Sequence, residues 1–162
     1  MNADMESVKR ELAMLLRSPG FLTVLAAVDA EKAAAVATPG PTVVYEGERM
    51  AISDVGYPVA EVIGHQTTYD TADQQTKSAT HEVEITWTQV GDNELVITTQ
   101  LQRLVRATRD VLWPQSGPSE LVLLASWPLV IVAEQYSALM PAQGHPFVKG
   151  AMTTLHVMTE TL

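Results

Sequence analysis

The chain has 162 residues, 46% of them hydrophobic, and a formal net charge of −9 at pH 7. Such a length and apolar content suit one globular domain with a sizeable core and leave little room for a second. The absence of cysteine removes disulfides and thiolate metal sites, and the acidic balance argues against a surface that wraps DNA or adsorbs to a membrane. It does not argue against a protein that lets DNA pass without holding it.

In chain order, Met1-Asn2-Ala3-Asp4-Met5-Glu6 lacks the basic and apolar regions of a signal peptide, so a soluble protein, cytoplasmic at synthesis, is expected. Met5, Val8, Leu12, Leu15 and Leu16 recur at helical spacing and predict an amphipathic first helix, stopped at Ser18-Pro19-Gly20. Residues 21–37 are apolar and alanine-rich and predict a second, short helix; an alanine stripe of this kind reads as close packing. Thr38-Pro39-Gly40-Pro41 is a rigid break. Thr42 to Tyr45 is a strand, Glu46 to Arg49 a turn, and Met50 to Val55 another short strand. Val59 to Gln66 alternates with small and apolar residues on both sides and reads as a well-covered strand.

Thr67 to Thr80 has almost no apolar content and lies between two good strands, so it is expected to be the polar tip of a long hairpin. It is either a solvated loop or an arm ordered against a neighbour. His81, Val83, Ile85, Trp87 and Gln89 alternate with Glu82, Glu84, Thr86 and Thr88, the period of a half-buried strand. Gly91-Asp92-Asn93 breaks that period and caps a helix, with Glu94 favourable at its positive end. Ile97, Leu101, Leu104, Val105, Thr108, Val111 and Leu112 then form one apolar helix face, while Arg103, Arg106 and Arg109 lie on another and Pro114 ends the helix. Gln115-Ser116-Gly117-Pro118 is a linker. Pro128 divides the apolar run that follows into two extended pieces, Glu120 to Ser126 and Leu129 to Tyr136, joined by a bend. Pro141 to Pro146 is a turn-rich loop, and Val148 to Thr161 is a closing β-branched strand. The order predicts an α+β fold: a mainly antiparallel sheet with helices packed on one face. One domain spans residues 1–162, with a helical part at 4–37, the sheet and long helix at 42–162, and a protruding polar hairpin tip at 67–80.

No motif in this chain specifies catalysis. The histidines His65, His81, His145 and His156 form no metal-binding helical pair, although His65 and His81 are placed to meet across the hairpin. There is no phosphate-cradling loop and no nucleophile elbow, and Ser126 lacks a glycine frame. Glu82 and Glu84 share one side of their strand; they are either a solvated sheet face or an acidic lining that repels a DNA backbone. Arg103, Arg106 and Arg109 are either a solvated helix face with local pairs such as Arg106 to Asp110, or a basic ridge that orients like subunits head to tail.

Three pieces together resemble the tail terminator (tail completion) proteins of long-tailed bacteriophages. They are the amphipathic helix near the N-terminus, the strand–turn–long helix from His81 to Trp113, and the tail end. That end runs Glu134-Gln135-Tyr136-Ser137-Ala138-Leu139-Met140-Pro141, then a Gly-His-Pro turn, then Phe147-Val148-Lys149-Gly150-Ala151 and the last strand. The resemblance implies a non-enzymatic structural virion protein without cofactor. Such a protein forms a homohexameric ring that caps the tail tube, stops its polymerisation, joins the stopper or connector protein of the head neck, and lets DNA pass through its lumen without specific binding and without a membrane partner. It implies residence at the tail–neck junction of the virion, after assembly in the host cytoplasm. Within that frame Glu82 and Glu84 are candidates for the lumen, and Arg103, Arg106 and Arg109 for the subunit interface. Tyr69, Asp70, Asp73, Gln74, Gln75 and Lys77 are candidates for an arm that contacts a partner. The rival readings are another neck ring protein, such as a head–tail stopper, and a small α+β enzyme or ligand-binding domain. In the latter, Trp87, Trp113, Trp127 and the histidines would line the pocket.

Overall fold

The structure, a computed structural model, describes residues 4–48, 56–70, 77–112, 122–124, 127–142 and 145–161. Among the described residues, three helices and seven strands follow one another as α1 (Met5–Arg17), α2 (Pro19–Glu31), β1 (Val43–Tyr45), β2 (Val59–Asp70), β3 (Lys77–Gly91), α3 (Glu94–Leu112), β4 (Val122–Leu124), β5 (Trp127–Tyr136), β6 (Met140–Ala142) and β7 (His145–Thr161). The strands form one sheet in the order β1-β2-β3-β7-β5-β4, with β6 folded back on β7. Every pairing is antiparallel except β1 with β2. The fold is the expected α+β arrangement.

Alternation decides which face is covered. On β3, Ala79, His81, Val83, Ile85, Trp87 and Gln89 are buried, and the residues between them are half-exposed. On β7 the buried set is Ala151, Thr153, Leu155, Val157 and Thr159. Against this side pack Val8, Leu12 and Leu16 of α1, Phe21, Leu25 and Val28 of α2, and Ile97, Leu101, Leu104, Val105 and Leu112 of α3. At the centre Phe21 stacks on Trp87, ring centroids 5.5 Å apart. The Trp87 indole N–H donates to Thr108 Oγ1 at 2.9 Å.

Local chemistry sets the helix ends. Asp4 caps α1 by accepting from the Ser7 amide at 2.8 Å. The Ser18 hydroxyl closes α1 by donating to the Leu15 carbonyl and opens α2 by accepting from the Phe21 amide. Ser18-Pro19 is therefore a hinge between two abutting helices rather than a loop, with Pro19 in the first turn where its missing N–H costs nothing. Asn93 caps α3 through its Oδ1, which accepts from Leu95 and Val96. The alanines of α2 depart from expectation: Ala26, Ala27 and Ala30 are exposed on its outer side, because Phe21, Leu25 and Val28 already supply its buried face. No single helix among the described residues is long and apolar enough to cross a membrane; α1 and α2 have the combined length, but they are bent by 55° and bury Val8, Leu12, Leu16, Phe21, Leu25 and Val28 in the core.

Three further expectations need correction. The long hairpin is there as expected, but its strands run further into the polar stretch 67–80: β2 continues through Asp70 and β3 begins at Lys77, with Thr67 opposite His81 and Asp70 opposite Ser78. β7 extends alongside to Thr161, so this end is a three-stranded tongue. The backbone ladder holds it without an apolar pattern. The two extended apolar pieces are as expected and form an antiparallel pair, but Pro128 lies inside β5, opposite Leu123 of β4, rather than dividing them. Residues 141–146 include a strand pairing, Ala142 with His145. The predicted strand at 50–55, Pro114 and the linker at 115–118 lie outside the described residues.

Candidate functional site

The sheet face opposite the three described helices, which no described helix covers, carries the first group of candidate residues. Glu82 and Glu84 alternate with the buried residues of β3 and point away from the helices. Each has an imidazole beside it from a neighbouring strand. His65 Nε2 lies 2.9 Å from Glu84 Oε2, and His156 Nε2 lies 3.7 Å from Glu82 Oε2. Thr86 donates to the other oxygen of Glu84 at 2.8 Å. Strand alternation and register put the row Asp70–Ser78–Glu160 on the same face, together with Glu61 of β2, which is buried.

His65 and His81 do not meet. The register shifts between Gly64 and Gln66, leaving His65 as the extra residue of a β-bulge. His65 is exposed and turns to Glu84, whereas His81 is 1% exposed on the helix side, between Thr67 Oγ1 at 2.9 Å and Thr159 Oγ1 at 3.0 Å. Burial pushes the His81 imidazole below its ordinary range, only partly opposed by the Asp4 carboxylate. Among the described residues, no group of three or more histidines and carboxylates is arranged to hold a metal ion.

The second group is the arginine ridge of α3. Arg103 Nη1 stands 3.4 Å from Asp29 Oδ1 of α2, a carboxylate that also accepts from the Thr38 amide at 2.7 Å and the Thr38 hydroxyl at 2.6 Å. Arg106 bonds Asp110 one turn on at 2.8 Å and reaches Glu31 of α2 at 3.2 Å. The Asp110 carboxylate raises the Arg106 guanidinium further above its ordinary range, by its hydrogen bond first and its charge second. Arg109 reaches Glu134 of β5 at 3.5 Å and lies 4.0 Å from Asp110. All three cations therefore have carboxylate partners within the chain, and the ridge fastens α2, α3 and β5 to one another. Arg106–Asp110 was visible from its spacing. Asp29, Glu31 and Glu134 come from distant parts of the chain, and no sequence signal links them to the ridge.

A segregation of charge follows. Every lysine and arginine whose side chain is described lies on or caps a helix or, in the case of Lys149, reaches back to Thr98 of α3 at 3.1 Å. The uncovered sheet face holds carboxylates and histidines. Of the third group, Tyr69 and Asp70 lie at the end of β2, where Tyr69 is 64% exposed. Lys77 opens β3, and Asp73, Gln74 and Gln75 lie outside the described residues.

No family model matches this sequence, and none of the curated proteins is similar to it in sequence. In fold, the chain is similar to a chain in the structure "Virion of native gene transfer agent (GTA) particle", with a TM-score of 0.53, 14% sequence identity and 94% of each chain covered.

Proposed function

We propose that this chain is a structural, non-enzymatic virion protein: a tail terminator whose six copies form a ring that caps the tail tube and joins it to the head neck. The observation that carries the reading is the fold shared, over nearly the full length of both chains, with a component of a virion particle. The segregated charge supports it. Six copies at −9 carry −54, and a carboxylate-lined sheet face, Glu82 and Glu84 included, suits a lumen through which DNA moves without sticking. We place the Arg103, Arg106 and Arg109 ridge at the subunit contact, where it offers a neighbour a charge-balanced polar surface. The tongue formed by the ends of β2, β3 and β7, with Tyr69 and Asp70, is the segment offered to the tail tube or the next ring. The 162 residues act as one domain.

Light scattering on the purified chain, with particle images, tests this. A ring of six weighs about 106 kDa, six times the 17.6 kDa chain. That mass, together with binding to the ends of tail tubes, is the expected result. A monomer at all concentrations, or a ring that leaves tail length uncontrolled in a complementation assay, overturns the terminator assignment.

A further inference from the structure

The four long strands β2, β3, β7 and β5 run alternately in opposite directions. The short strands cover only one end of each outer one: β1 pairs Val59–Glu61 of β2, and β4 pairs Trp127–Leu129 of β5. Among the described residues, no strand lies along the outer side of β2 beyond Glu61 or of β5 beyond Leu129. Each stretch presents a row of backbone N–H and C=O groups, and what satisfies such a row in full is another strand.

The two edges suit each other. β5 runs opposite to β2 within the sheet, so β5 of one copy meets β2 of the next copy antiparallel, with the helix-covered faces on the same side. The β5 edge is apolar over Val130-Ile131-Val132-Ala133, with Val132 51% and Tyr136 42% exposed. It adjoins the ridge, since Arg109 bonds Glu134 of the same strand. Each outer strand also carries a register shift, at Gly64/Gln66 and at Ile131/Ala133. Bulges of this kind bend and twist a sheet and are frequent at the rims of closed ones.

Resting on the ring reading above, we infer that the outer edge of β5 in one copy pairs with the outer edge of β2 in the next, so that one sheet runs around the ring. The contact is heterologous and joins two different patches, as a cyclic ring requires. The short strands fix its register. With no offset, β4 of one copy and β1 of the next would both be wedged between the pairing edges. Sliding the next copy by about four residues clears both, and a stagger from strand to strand is what closing a sheet on itself demands. That offset sets Ala133 opposite Thr68 of the next copy, and Gln135 opposite Gln66, all on the uncovered face.

The absence of cysteine makes the test clean. Two variants carry matched pairs, Ala133→Cys with Thr68→Cys and Gln135→Cys with Gln66→Cys. A third, Ala133→Cys with Tyr69→Cys, is mismatched in face. Within one copy the paired positions sit on opposite outer strands, about 14 Å apart at the usual strand spacing, beyond disulfide reach. Mild oxidation of a matched variant is expected to give a ladder of covalent multimers on a non-reducing gel, reversed by reductant, with the mismatched pair staying monomeric. If all three variants assemble to six copies by light scattering yet neither matched pair cross-links, the edge pairing is wrong and the ring stands. If the wild-type chain stays monomeric, the ring and the edge pairing fall together.

Discussion

Thr108 is the residue whose replacement tests the core most sharply. It is fully buried on α3, where its hydroxyl accepts from the Trp87 indole at 2.9 Å and donates to the Leu104 carbonyl at 2.8 Å. Thr108→Val keeps the shape and removes the hydroxyl. The Leu104 carbonyl keeps its helical partner, but the indole N–H is left without one in a site sealed by Phe21 and the sheet. An orphaned buried donor costs about 1–3 kcal/mol, so roughly 2 kcal/mol is expected here. For a chain of this size that is a fall in Tm of about 4–8 °C, read by calorimetry at fixed protein concentration. A double-mutant cycle with Trp87→Phe isolates the bond, because Thr108→Val has no indole to strand in that background and its cost should shrink by about 1 kcal/mol or more. A Thr108→Val protein that melts with the wild type, or that loses as much stability in the Trp87→Phe background, refutes the bond as a contributor.

Other outcomes follow from the same contacts. Burial lowers the His81 pKa in the folded chain, so the unfolded chain takes up the proton first as pH falls. Stability is therefore full above about pH 6.5, the ordinary histidine value, and declines as pH drops from there towards the lowered folded pKa; urea midpoints at pH 7.5, 6 and 5 should show a drop that His81→Gln flattens. Asn93→Ala removes the α3 cap and should cost about 1 kcal/mol, seen as a lower urea midpoint with an unchanged slope. Arg103→Ala leaves Asp29, whose side chain is only 12% exposed, without its cation. It should cost about 1–3 kcal/mol, whereas Arg10→Ala, in an exposed pair with Glu6, should stay within about 0.5 kcal/mol.

What was legible in the sequence had a period. β3 and α3 bury the residues their spacing marks, because one face of each meets the core and the pattern needs no partner to be read. The tongue was not legible. Thr67-Thr68-Tyr69-Asp70 shows no apolar alternation, yet β3 and β7 pair through to Lys77 and Thr161, so the ladder alone extends the strand. The bulge at His65 was equally hidden. One extra residue sends His65 and His81 to opposite faces, and nothing local announces it. The α3 arginines were visible as a stripe, but their meaning depended on Asp29, Glu31 and Glu134. Read alone the stripe has one visible partner, Asp110; in the fold each of its three cations has a carboxylate beside it.

That matching bears on which way the sheet would face in the proposed ring. The electrostatic reach of a fixed charge is about 8 Å at physiological salt, so an acidic surface acts on DNA only where DNA is forced close to it. On the outside of a ring the carboxylates of β2, β3 and β7 would be screened and idle. Lining a lumen, they keep a passing polyanion from settling. The helical layer is the poorer wall. It holds the described lysines and arginines, and a phosphate backbone pressed against it would compete for Arg103, Arg106 and Arg109 with the carboxylates that pair them. Sheet-inward packing would also turn the outer edges of β2 and β5 sideways, towards the neighbouring copies of the proposed ring, where the inferred backbone pairing would close it. With the sheet inward, one orientation thus serves both the charge and the unpaired strands. With the sheet outward, the acidic face would be screened and the helical layer would face the DNA.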